Sequence, residues 1–185
     1  TVDNDGAFNL VAAAEFGAGL AALLWRMGAG EDIPIGTAVA GRGDGALEEL
    51  VGFFVNTLVL RTDVGGNPTF RELVGRVRKF DLEAYERQEV PFERVVEAVD
   101  PGRSAGRHPL FQVMLTLQNT PGANLRMKDV EVSGEPLSGA VAKFDLTVGW
   151  NERVGGRGEQ QGLGGVLEYS LDRVEAGTAE AIAAD

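Results

Sequence analysis

Between residues 7 and 27 the large apolar side chains Phe8, Val11, Leu20, Leu23, Leu24 and Met27 recur near helical spacing, with alanine at most intervening positions. The spacing predicts a helix that packs closely on more than one face, stopped by Gly28-Ala29-Gly30. Ile33, Ile35, Thr37 and Val39 then alternate with other residues, which predicts a strand over 33–40. Residues 41–45 form a loop. The apolar run over 53–61, broken only by Asn56 and Thr57, reads as a mostly buried strand. Gly65-Gly66-Asn67-Pro68 is turn chemistry, and Thr69 with Glu72 forms a capping box that opens a helix reaching about Arg87. Its inward face is expected to carry Phe70, Leu73, Val74, Val77, Phe80 and Ala84. A short helix begins with Pro91 at its first position and turns Phe92, Val95, Val96 and Val99 inward.

Strands dominate the second half. Residues 110–117 alternate around one strongly apolar face, and further strands are expected at 130–132, 144–150 and 166–169. The last two are joined by a polar, glycine-rich loop over 151–165. Past Leu171 the pattern turns helical. Alternating helices and strands giving way to strands predict an α/β unit built on a mixed sheet with helices packed on one face. No repeat or linker divides residues 1–185.

Composition narrows the functional classes. Hydrophobic residues make up 44% of the 185 and charged residues 24%, the balance of a globular domain. No apolar run approaches the roughly 20 residues of a membrane span, and no secretory signal is evident. The net charge of -11 argues against a sequence-independent grip on nucleic acid. Cysteine is absent, which excludes thiolate catalysis and fits a cytoplasmic location.

Candidate chemistry is sparse. The one histidine, His108, has a side chain suited to general-base work, but its place before Pro109 at a strand start favours a structural role. Asp3-Asn4-Asp5-Gly6 lacks the further oxygen ligands of a calcium loop, and Gly17-Ala18-Gly19 lies within a helix where it cannot cradle a pyrophosphate. Arg42-Gly43-Asp44 is a chance tripeptide. Trp25 and Trp150 are expected in the core. Asp145, flanked by Phe144 and Leu146, wants a cationic partner, either Lys143 or an arginine such as Arg61. The residues alone describe a mixed α/β domain with no metal site and no self-contained catalytic constellation.

Several stretches together carry a resemblance. Val51-Gly52-Phe53-Phe54-Val55-Asn56-Thr57-Leu58-Val59-Leu60-Arg61 is close to a G-x-F-V-N-T-L-x-L-R motif, and Gln88-Glu89-Val90-Pro91-Phe92-Glu93 to H-Q-D-x-P-F-E, with Arg87 where the motif has histidine. Arg107-His108-Pro109-Leu110-Phe111-Gln112-Val113-Met114 resembles R-[NH]-P-L-F-Q-V-M, and residues 32–42 and Lys143-Phe144-Asp145-Leu146-Thr147 also fit. In this order they resemble the C-terminal subdomain of nonribosomal-peptide-synthetase condensation domains. The resemblance implies a chloramphenicol-acetyltransferase-like fold, two subdomains arranged as a V, and a tunnel between them. Donor and acceptor peptidyl carrier proteins deliver thioesters into it on phosphopantetheine arms, and an amide bond forms.

The family's H-H-x-x-x-D-G motif belongs to the N-terminal subdomain, and a chain with one histidine cannot supply it. The resemblance therefore implies no catalytic residue here, no directly bound cofactor, and an inactive fragment that exposes an apolar face. Its expected partners are the N-terminal subdomain and the carriers. Gln118 and Asn119, at the end of the strand that borders the tunnel, would hydrogen-bond a pantetheine amide or a peptide carbonyl, or else cap the strand. Asn56 and Arg61 would hold the sheet through hydrogen bonds, and Asp145 would sit in a structural ion pair. An excursion that crosses to the other subdomain would lie within 120–142. Two alternatives from the same superfamily are a non-catalytic module that recruits tailoring oxygenases and part of an epimerisation domain.

Overall fold

A computed structural model describes residues 4–42, 45–47, 50–102, 106–118, 141–154 and 160–184. A long helix α1 (Asn4–Arg26) leads into strand β1 (Asp32–Val39), a single 3-10 turn (Gly45–Leu47) and strand β2 (Asn56–Asp63). Helices α2 (Phe70–Tyr85) and α3 (Phe92–Val99) follow, then strands β3 (Val113–Gln118), β4 (Leu146–Val154) and β5 (Gln160–Tyr169), and helix α4 (Ala176–Ala184). The five strands form one sheet in the order β2-β1-β3-β4-β5. β1, β3 and β4 run parallel, and antiparallel β2 and β5 flank them.

Strand alternation sorts the side chains onto two faces. Ile33, Ile35, Leu115 and Val64 point to the face covered by α1 and α2, where they join Ala14, Ala18, Leu20, Ala21, Leu73 and Val77 in one core. The small residues of α1 are what let the helices approach: Ala14, Ala18 and Ala21 are at most 1% exposed, and Gly17 faces Val77. Phe16 stacks on Trp150 at 4.9 Å, tying α1 to β4. At the turn after α1, Gly28 (φ 92°) and Gly30 (φ 94°) take the left-handed conformation the helix stop requires. The α2 capping box is present, with the Thr69 hydroxyl accepting from the Glu72 N–H and the Glu72 carboxylate accepting from the Thr69 N–H.

Several sequence expectations change. Residues 50–55 lie outside the sheet, and β2 begins only at Asn56. On α2, Phe70 and Phe80 are exposed, whereas Asp81 is buried with Leu73 and Val77. Pro91 caps α3 from outside instead of starting it. The expected loop over 151–165 is largely strand. Gly165 is accommodated because the Trp150 indole covers it (a Cβ there would sit 3.1 Å from the ring), so glycine deepens the sheet here instead of ending it. The expected strand at 130–132 and residues 120–140 of the expected excursion fall outside the described residues.

Candidate functional site

Because β1, β3 and β4 are parallel, their C-terminal ends share one end of the sheet, the location where open α/β sheets place their ligands. Three segments converge there: the chain leaving β1 at Val39–Arg42, the start of β2 at Asn56, and the exposed end of β3 at Gln118. Gln118 pairs with Asn151 of β4, and the β1–β3 register carried on from Thr37 and Leu115 sets it level with Ala40. Asn119 lies outside the described residues.

Asn56 fastens a fourth segment to this end. Its amide donates to the Gln88 carbonyl (2.7 Å) and the Val90 carbonyl (2.8 Å), and its oxygen accepts from the Phe92 N–H (3.2 Å). One side chain thus pins the whole α2–α3 connector to β2. At about 0.5–1.5 kcal/mol per bond, Asn56→Ala is expected to lower stability by about 2–3 kcal/mol. Asn56→Asp, which turns a carboxylate on two carbonyl oxygens, is expected to cost more. Urea unfolding of the two variants checks this order.

Arg42 organises the loop between β1 and β2. Its guanidinium donates to the Leu47 and Leu50 carbonyls and lies 4.4 Å from the centre of the Phe54 ring. Gly41 has φ 63° and lies against the Phe54 carbonyl, leaving no room for a side chain. The result is a loop that holds Val51 and Phe53 out into solvent, 104% and 89% exposed. Beside it opens a groove of about 640 Å³, whose lining includes Phe53, Phe54, Val55, Pro91 and Phe92 together with Glu89 and Glu93. A second trough, about 650 Å³, lies between α1, α4 and the β4–β5 hairpin around Phe16, Trp150 and Ile182.

The remaining candidates sit at the opposite end of the sheet. Arg61 makes a two-pronged pair with Asp32 (2.5–2.9 Å), which holds the Asp32 carboxyl below its usual range, but both partners are exposed and the pair is screened. That pairing corrects one expectation: Arg61 is committed to Asp32. Asp145, expected in an ion pair, makes none among the described residues and acts through its backbone, donating to the Gln112 carbonyl and accepting from the Ser170 N–H.

His108 precedes β3 by five residues and lies among aromatic rings, 4.0 Å from Phe111 and 5.2 Å from both Phe92 and Phe144, centre to centre. Burial lowers its pKa, only partly opposed by a backbone hydrogen bond with Phe111, and its Nδ1 has no hydrogen-bond partner. No carboxylate accompanies it among the described residues, so nothing there holds a general base in place. No group of His, Cys, Asp and Glu able to hold a metal occurs among the described residues, and no helix of them is long and apolar enough to cross a membrane.

The fold is a mixed α/β unit on a five-stranded sheet, and comparison with known proteins gives the family. Residues 15–169 match the condensation-domain family, and the chain belongs to it. A dimodular nonribosomal peptide synthase of Bacillus subtilis (strain 168) is 55% identical over 165 residues, which are 89% of this chain and 7% of that protein. An isonitrile lipopeptide synthase of Mycobacterium tuberculosis is 45% identical over 159 residues, 86% of this chain and 6% of that protein. The chain therefore spans a small fraction of these relatives. Among solved structures, the X-domain from teicoplanin biosynthesis superimposes with a TM-score of 0.80 at 34% identity, over 95% of this chain and 38% of that one. The same X-domain is known in complex with OxyB. A holo four-domain nonribosomal peptide synthetase bound to AMP and glycine gives a TM-score of 0.76 at 27% identity, over 95% of this chain and 14% of that one.

Proposed function

We propose that this chain is the C-terminal half of a condensation domain and supplies one wall of the tunnel in which carrier-bound thioesters are joined. The observation that carries the reading is the convergence of the 40–56 segment, the 88–93 connector and Gln118 on one end of the sheet, in a chain that belongs to the condensation family. In the reaction an acceptor amine attacks the donor thioester carbonyl carbon. The C–N bond forms, the C–S bond breaks, and the amine's proton leaves to a base while the thiol is released. The phosphopantetheine arms that present both substrates belong to the carriers. This half contributes neutral walls: Gln118 offers an amide donor and acceptor to a pantetheine or peptide amide without introducing charge. The proton-handling group belongs to the other half, since the one histidine here lies in an aromatic cluster at the far end of the sheet.

In the complete condensation domain, Gln118→Ala is expected to lower kcat/KM for amide formation about 3–10-fold, the worth of one lost hydrogen bond. An unchanged value would remove Gln118 from the tunnel. A second reading, a non-catalytic module that recruits an oxygenase, is favoured by the likeness to the X-domain, whose complex with OxyB is known. An amide product from the complete domain separates the two.

A further inference from the structure

We infer that Asp81 is a proton-operated switch for the outer half of α2: with its carboxyl protonated, the helix end and the 88–93 connector stay seated on the sheet, and with the carboxylate formed they open locally. Leu73, Val77 and Asp81 form one inward stripe at four-residue steps along α2, 4%, 2% and 3% exposed. Among the described residues, Asp81 is the last buried one before Phe111. The stretch 82–102 is held by lesser means. Half-buried Ala84 and Tyr85 pack on Val39, Leu58 and Leu60, α3 has no buried residue, and the connector hangs on the hydrogen bonds of Asn56. The core's grip on this stretch therefore ends at a carboxyl group, in a place where an aliphatic side chain ordinarily stands.

No cation among the described residues answers that carboxyl. Pairing of Asp32 with Asp63 sets the end of α1 and the start of α2 at one end of the sheet, so the two helices run antiparallel. Gly17 meets Val77, and one turn further Asp81 comes level with Ala13 and Ala14. On the sheet side the helix end faces Val39, Leu58 and Leu60. The charged groups of these elements lie elsewhere. Glu15 and Arg26 of α1 line the trough toward α4, Asp32 and Arg61 hold each other, and Asp63 takes Gly65 and Arg76. Arg78, Lys79 and Glu83 of α2 itself are exposed. Tyr85 is the titratable neighbour, and its raised pKa keeps it neutral through the physiological range. Asp81 Oδ2 has no hydrogen-bond partner. A protonated carboxyl tolerates such surroundings, whereas a carboxylate reaches water only by moving the segment outward. The connector shares its sheet end with Gln118, so the proton reshapes the candidate site; the switch itself stands whether or not that site is a tunnel wall.

Hydrogen exchange resolved to peptides tests this in the 185-residue chain and its Asp81→Asn variant, compared at matched pH. The grip is whole below about pH 4 and is lost as pH rises toward the folded value of about 7. The ratio of wild-type to variant exchange rates over 82–92 is expected to rise about tenfold from pH 6 to pH 8. Matched pH cancels the pH dependence of chemical exchange, and the opposite contribution of His108, present in both proteins, cancels with it. At pH 8 the wild-type segment is expected to be protected at least about tenfold less than residues 33–38 and 113–117, with a rate that low urea barely changes, because a local opening exposes little surface. Asp81→Leu, an apolar anchor that does not titrate, is expected to exchange slowly over 82–92 at both pH values. A ratio that stays constant with pH would overturn the inference, since Asp81 would then not control the segment. Protection and urea response over 82–92 equal to those of the core strands would overturn it too, by showing that the segment leaves only when the whole chain unfolds.

Discussion

Gly36→Ala is expected to be among the most damaging single-methyl changes in this protein, lowering stability by about 3 kcal/mol or more. Gly36 lies on β1, on the face opposite α1 and α2, and a Cβ there would lie 2.2 Å from two carbons of the Phe111 ring. Phe111 cannot step aside. It is 1% exposed and wedged against His108, Phe144 (5.2 Å) and Phe92 (6.1 Å, edge to face). Truncating the ring is costly in its own right, at about 3–5 kcal/mol for Phe111→Ala. The diagnostic result is the double variant. With the ring gone, the added methyl enters vacated space, so Gly36→Ala with Phe111→Ala is expected to be less destabilised than the sum of the two, by about 1–3 kcal/mol. Additive losses in urea unfolding would mean that the ring does not occupy the space above Gly36.

The second large effect comes from Asp81. Its side chain is 3% exposed, its Oδ2 has no hydrogen-bond partner, and burial pushes its pKa up to about 7. The ionised form is therefore disfavoured in the folded chain. Between the unfolded value of about 4 and the folded one, the native state binds more protons than the unfolded state, so stability is greatest in acid and falls as pH rises through this window. Tyr85, one turn along α2, feels the same charge, and its own pKa is raised by burial and by Asp81. His108 acts in the opposite sense, because its lowered pKa makes stability rise with pH near neutrality. Comparison with Asp81→Asn cancels that contribution. The variant is expected to be more stable than wild type by about 2–4 kcal/mol near pH 8, with the difference shrinking toward zero near pH 4. A difference that does not vary with pH would show that Asp81 is not the titrating group.

How far the sequence spoke depends on what kind of signal each residue gives. Local chemistry was legible: the Thr69–Glu72 capping box and the glycine stop after α1 are set by a few neighbouring residues, and both stand as read. The mixed sheet with α1 and α2 on one face was legible too, and the condensation resemblance matches the family found. What failed were details of burial and pairing decided by neighbours distant in sequence. Helical periodicity placed Phe80 inward and gave no warning of Asp81, although Asp81 continues the Leu73–Val77 stripe at i+4; which turn of a helix is covered depends on the elements beside it. The apolar run before Asn56 read as buried strand, but Arg42 draws that segment into an exposed loop. Glycines at 162, 164 and 165 read as loop because their turn signal is local, whereas the Trp150 indole that fills the space over Gly165 comes from the partner strand. Asp145 read as half of an ion pair because pairing in sequence said nothing of Asp32, which takes Arg61.

Of the candidate site, the separation of roles could not be read from order along the chain. Asn56 and Gln118 come to one end of the sheet, while Arg61 and Asp145 go to the other. Parallel pairing of β1 with β3 is what makes that division, and strand direction leaves no mark in a single sequence.

The central claim is that this chain forms a wall without the proton-handling group, and one assay addresses it directly. The 185-residue chain is mixed with donor and acceptor carriers loaded with thioester substrates, and the carrier-bound product is followed by intact-protein mass spectrometry. No amide above background is expected from the chain alone, with product appearing when the complete domain replaces it. Amide formation by the chain alone, lost on His108→Ala, would contradict the account.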